Sequence, residues 1–136
     1  MESRTVDVRT GSTEVVADLT ATCESFLADI GAGDGLLSVF VPHATAGVAI
    51  LETGARSDTD LLALLGDLVP RDDRWAHRHG SPGHGRDHVL PALISPSATI
   101  PVDAGRLGLG TWQSICLVDT NVDNPLRQVR LSFLRG

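Results

Sequence analysis

The chain contains no lysine and no tyrosine, so all eleven of its basic side chains are arginine. Without lysine there is no Schiff-base chemistry and no pyridoxal-phosphate anchor, and without tyrosine no phenol can act as acid or base. Cysteine is scarce too. Cys23 and Cys116 lie far apart, each inside an apolar periodic segment, which predicts buried thiols in a reducing compartment rather than a disulfide framework. No apolar run approaches the roughly 20 residues a membrane-spanning helix needs. The N-terminal run Met1-Glu-Ser-Arg-Thr-Val-Asp-Val8 has no apolar core, so no secretion signal and no membrane partner are expected, and a cytoplasmic location is the default. Positive charge is also in deficit: the net charge of −6 argues against a nucleic-acid partner, whose phosphates call for a basic face.

What is present suffices for one core. A chain of 136 residues, 42% apolar, can bury roughly two-thirds of its unfolded surface as a single domain, residues 1–136. Residues 4–10 alternate polar and apolar and predict a strand. Leu19, Cys23, Phe26, Leu27 and Ile30 make an apolar stripe, which predicts a helix from about Thr20 that Gly31-Ala-Gly33 closes. Residues 36–41 and 47–51 read as strands separated by Pro42 and His43. A second helix opens at Ser57 or Asp58 as N-cap and ends at Pro70, and a short one runs from Asp87 or His88 to Ile94 with Pro91 near its first turn. Strands follow at 97–102, 111–118 and 128–134. The sum predicts a compact α+β fold, with mixed β-sheets packed against two or three helices.

Four of the five histidines crowd into Trp75-Ala-His-Arg-His-Gly-Ser-Pro-Gly-His-Gly-Arg-Asp-His88, a polar run with four Gly or Pro residues that reads as a long loop. His77 and His79 fall on one side of an extended segment, close enough to chelate one ion, and His84 or His88 can return from beyond the glycines. His43 offers a further imidazole from a rigid element. Three imidazoles suit zinc better than a hard ion. Arg71, Arg74, Arg78 and Arg86 surround the histidines and fit phosphate or carboxylate, although Asp72, Asp73 and Asp87 are near enough to pair with them. Glu52 and Asp60 are candidates for a general base or for orienting an imidazole. Gly108-Leu-Gly110-Thr-Trp-Gln113 leads into a strand pattern, so it is no nucleotide fingerprint, and Trp112 is expected to pack.

Taken together, Pro42-His-Ala-Thr-Ala46, Glu52, Asp60, Trp75 with His77, His88, Pro101-Val102 and Leu107-Gly-Leu-Gly-Thr-Trp-Gln113 resemble the YjbQ family, also called the secondary thiamine-phosphate synthase family, over roughly Thr5 to Gly136. The resemblance implies a homotrimeric α+β protein with a cleft for a metal ion and anions. It implies His43, His77 and His88 as metal ligands, Glu52 and Asp60 as catalytic groups, and Thr45, Arg86, Thr111 and Gln113 against a small phosphorylated or anionic metabolite. The implied activity is a low thiamine-phosphate synthase activity, a diphosphate displacement with zinc as the ion or magnesium for the synthase reaction. A metal-assisted phosphoester hydrolase and a non-catalytic metabolite-binding trimer are the alternatives. The chain departs from the family pattern at Ala44, Trp75, His84 and Asp123-Asn-Pro-Leu-Arg127, and His84 is an additional ligand candidate beside His79.

Overall fold

The structure is a computed structural model that describes residues 1–136. Eight strands and three helices follow in the order β1 (Glu2–Arg9), β2 (Val15–Asp18), α1 (Thr20–Asp29), β3 (Gly35–Phe40), β4 (Ala46–Leu51), α2 (Ser57–Leu68), a 3-10 turn (His84–His88), α3 (Leu90–Leu93), β5 (Ser97–Asp103), β6 (Arg106–Leu107), β7 (Ser114–Asp119) and β8 (Leu126–Arg135). Sheet A has the order β1-β8-β3-β5-β6 and sheet B the order β2-β7-β4. The α+β expectation holds. Every ladder is antiparallel, however, where mixed sheets were expected.

Alternation along the strands decides where the core sits. Leu37 and Val39 of β3, Ile100 and Val102 of β5, and Val129, Leu131 and Phe133 of β8 turn inward and meet Cys23, Phe26 and Leu27 of α1 together with Ile115 and Leu117 of β7. Strand β7 is the central strand of sheet B and is buried on both faces. Its Val118 turns the other way, into a second cluster with Leu65 and Val69 from the end of α2 and Leu90 of α3, and Trp75 packs at its margin. Sheet B is therefore a wall between the main core and the histidine segment, and β7 carries the main core's order to the site. Both cysteines are fully buried and unpaired, and burial pushes each thiol up to about 12.

Local chemistry explains the element ends. The Asp18 carboxylate accepts the Thr20 N–H at 2.8 Å in a turn just ahead of α1, whose own N-cap, Leu19, makes no side-chain bond. For α2 the expected caps Ser57 and Asp58 are already helical; Arg56 is the capping residue, at φ 71°, and Asp58 and Asp60 complement the first-turn N–H groups by charge. The helix expected to begin at Asp87 or His88 is split, because the 3-10 turn ends at His88 and α3 begins only at Leu90. Strand β7 begins at Ser114 rather than 111, since Gly110 to Gln113 form a turn in which the Gly110 N–H donates to Gln113 Oε1. The four-residue β2 has no alternation long enough to read from sequence and exists by pairing with β7.

Candidate metal centre

Pro70 ends the α2 segment and the chain then doubles back through residues 71–88. The Trp75 indole N–H donates to the Pro70 carbonyl at 2.9 Å, and Gly80 and Gly83 take left-handed φ values of 89° and 76° that make the bends. Gly85 lies so close to Trp75 and to the His77 carbonyl that a β-carbon there would stand 2.6 Å from that oxygen. These constraints fold the segment onto itself and bring its imidazoles together. The His77 ring lies 4.0 Å from that of His79, 3.9 Å from that of His88 and 5.6 Å from that of His84, centre to centre. One ligand nitrogen from each of His77, His79 and His84 falls within 4.8 Å of the others. Nε2 of His84 is 2.8 Å from Nε2 of His88, and Nε2 of His77 is buried with no hydrogen-bond partner.

This nitrogen donor set fits a borderline ion such as zinc and does not fit magnesium, which takes oxygens. Two tetrahedral ligands at about 2.0–2.1 Å from zinc stand roughly 3.4 Å apart, so the His84 and His88 rings would open slightly to hold it. Around the rings lies a layer of carboxylates. Asp123 Oδ2 sits 3.0 Å from His84 Nδ1, off the ring's N–H direction, and Asp87 Oδ2 lies at 3.5 Å. Asp87 is fully buried and accepts the Thr120 hydroxyl at 2.6 Å, while Arg71 donates to the Thr120 carbonyl at 2.7 Å. The rings border a cleft of about 450 Å³ whose walls include Arg71, Arg78, Trp75 and Ser81. Arg71 keeps a buried Nη1 without a partner.

Burial lowers the His77 and His88 imidazoles from the ordinary 6.5, and the neighbouring rings add to the effect by mutual repulsion. A lowered folded-state value means that below about 6.5 the unfolded chain takes up protons that the folded chain refuses, so acid withdraws stability until the folded rings also charge. Thermal unfolding of metal-free protein is expected to move to lower temperature between about pH 7.5 and about pH 5.5, and His77→Ala is expected to flatten that dependence.

The residues singled out from the sequence separate into several places. His77 and His88 lie in the cluster with His79 and His84. His43 does not. Its Nε2 accepts the Gln128 N–H at 2.8 Å, so in the neutral ring Nδ1 carries the proton and neither nitrogen has a free lone pair. Arg86 was expected on substrate, yet it is turned inward, 3% exposed, where its guanidinium meets Glu14 and the Val69 carbonyl. Thr45 is also buried, its hydroxyl oxygen accepting from Arg127 at 2.8 Å and Asn121 at 3.2 Å. Glu52 and Thr111 line a separate hollow of about 260 Å³ beside Trp112, which is 72% exposed rather than packed. Gln113 closes the adjoining turn, and Asp60 is exposed in α2. In sheet B, Leu51 pairs with Ser114 at one end and Ala46 with Asp119 at the other. The six residues of β4, five steps or roughly 17 Å, thus part the Glu52 hollow from the end that reaches the histidines. From the sequence Asp87 reads as a partner for the arginines or as a helix start, and Asp123 and Thr120 carry no role. Their only sequence signal is a polar side chain at the end of an apolar strand.

The match with known proteins covers the chain. Residues 4–136 fit the family described as "UPF0047 protein YjbQ-like". The chain belongs to the YjbQ/UPF0047 family. UPF0047 protein Rv2556c of Mycobacterium tuberculosis is 57% identical over the full length of both chains. A UPF0047 protein of Methanothermobacter thermautotrophicus is 32% identical over 92% of this chain and 86% of its own. Among solved structures, hypothetical protein APE1520 of Aeropyrum pernix K1 superposes with a TM-score of 0.90 at 36% identity, covering all of both chains. The YbjQ-like protein SSO2532 of Sulfolobus solfataricus P2 reaches 0.91 at 23% identity over 99% of this chain and 97% of its own, a likeness of fold. The two-sheet architecture is thus that of the YjbQ/UPF0047 fold.

Proposed function

We propose that this YjbQ/UPF0047 protein is a metal-dependent enzyme acting on a small phosphorylated or otherwise anionic metabolite, with zinc held in the imidazole cluster of His77, His79, His84 and His88, three of which would ligate it and leave a fourth position open. The observation that carries the reading is the convergence of four imidazoles at the edge of a cleft lined by Arg71 and Arg78 beside Asp72 and Asp73. Bound there, the ion would supply a concentrated positive charge that stabilises a phosphoryl or diphosphate group as it develops negative charge. The chain's own residues do the rest. Arg71, anchored on Thr120, and Arg78 line the cleft and would receive phosphate oxygens, and half-buried Trp75 closes the apolar side. Diphosphate displacement of the thiamine-phosphate synthase type is the reaction this arrangement suits: the thiazole nitrogen forms the new C–N bond as the C–O bond to diphosphate breaks, so the protein must neutralise the leaving group rather than supply a nucleophile. Glu52 and Thr111 stand at the far end of sheet B and take part only if a neighbouring copy brings them to the cleft. Their role therefore goes with the homotrimer and falls with it.

The test is elemental analysis of the purified protein, followed by assays with an aminopyrimidine methyl diphosphate and a thiazole phosphate, and with simple phosphate esters. About one zinc per chain and condensation abolished by chelation are expected. Faster ester cleavage than condensation would turn the assignment to a hydrolase, bound metabolite without turnover would make it a binding protein, and absence of zinc would refute it.

A further inference from the structure

Asp123 lies on the connection between β7 and β8, and its place is fixed from the core outward. Asp119, fully buried at the end of β7, accepts the Asn121 N–H at 3.0 Å; Asn121 Oδ1 in turn accepts the Asp123 N–H at 2.9 Å. The Asp123 carboxylate then takes both the N–H and the hydroxyl of Ser81, at 3.1 and 3.0 Å, and faces His84 Nδ1 with the same oxygen. A continuous series of contacts therefore runs from the buried end of β7 to one imidazole of the cluster. The other carboxylate near that ring, Asp87, is farther away and already shared among Thr120, Arg71 and Arg86.

We propose that Asp123 is the positioning residue that makes His84 a metal ligand. This rests on the metal reading above. A carboxylate beside Nδ1 favours the tautomer with its proton there, which leaves the Nε2 lone pair facing His88 and the ion. A modest turn of the His84 ring brings the N–H onto Asp123, and metal bound at Nε2 would hold it there. Ser81 keeps the carboxylate from swinging away, while Gly80, whose missing side chain leaves room against both His84 and Asp123, lets the two approach.

The experiment measures zinc affinity by competition with a chromophoric chelator, and the cobalt(II) absorption spectrum, for the intact chain and for Asp123→Asn, His84→Ala, the two combined, and Ser81→Ala. Asp123→Asn keeps the shape and removes the charge; it is expected to weaken zinc binding about 10–100-fold and to shift the cobalt spectrum. On the His84→Ala background the same change is expected to do nothing further, and Ser81→Ala, which removes one of the two bonds that pin the carboxylate, is expected to weaken zinc binding less than Asp123→Asn does. Wild-type affinity in Asp123→Asn, or an equal loss on the His84→Ala background, would overturn the proposal while leaving the metal reading standing. An intact chain that binds neither zinc nor cobalt would remove both.

Discussion

His77→Ala is expected to lose tight zinc binding, by about a hundredfold or more, while His43→Ala retains it. The magnitude follows from sharing a zinc affinity of about 10–16 kcal/mol among three or four imidazoles, so that one accounts for roughly 3 kcal/mol or more. The direction follows from geometry. His77 is the ring closest to two others, 4.0 Å from His79 and 3.9 Å from His88, and its Nε2 is buried with nothing to bond. A buried polar atom left without a partner is costly unless something absent from the polypeptide satisfies it. His43 is in the opposite condition, its Nε2 already accepting the N–H of Gln128 in β8. Competition titrations on the two variants, with circular dichroism to show that both fold, decide the matter. Equal losses in the two would return His43 to the ligand set and require a neighbouring copy to bring it there.

That contrast also marks what the sequence can and cannot reveal. The alternation in β1 and the stripe on α1 were legible because one-sided burial writes itself as a period of two or of three to four, whereas β3 was legible only as a short apolar run. The pairing of His77 with His79 was legible for the same reason, since a spacing of two on extended chain places both rings together. The resemblance supplied residue types, but their assembly depends on strand register. Ala46 opposite Asp119 and Leu51 opposite Ser114 put Thr45 and Glu52 at opposite ends of sheet B, a separation no local pattern encodes. Arg86 shows the same limit from another side. Within the polar run it reads as one more phosphate ligand; only the position of Glu14, 72 residues earlier, explains why it turns inward. Buried charge goes where a partner exists, and the partner is chosen by tertiary structure.

Asp119→Ala is expected to be the most damaging single change to stability, costing about 3–5 kcal/mol, because it leaves a buried guanidinium unpaired. Arg127 is 2% exposed and grips Asp119 with two bonds, at 2.7 and 3.0 Å, and Thr45 with a third at 2.8 Å. Removing the arginine instead strands the carboxylate in the same way. Replacing both with apolar residues of similar volume relieves the desolvation of the survivor, so the paired variant is expected to recover much of the loss. The exposed pair Arg4 and Asp29, 41% and 58% accessible at 2.7 Å, provides the control: Arg4→Ala is expected to cost less than about 1 kcal/mol. Urea midpoints on the four variants test the ranking, and a loss in Asp119→Ala no greater than in Arg4→Ala would mean that the pair is solvated in solution. The same substitution removes the acceptor of the Asn121 N–H, the first link toward Asp123. Zinc affinity is therefore expected to fall in Asp119→Ala even where the protein is still folded, since a pair buried at the end of β7 holds the turn that faces His84.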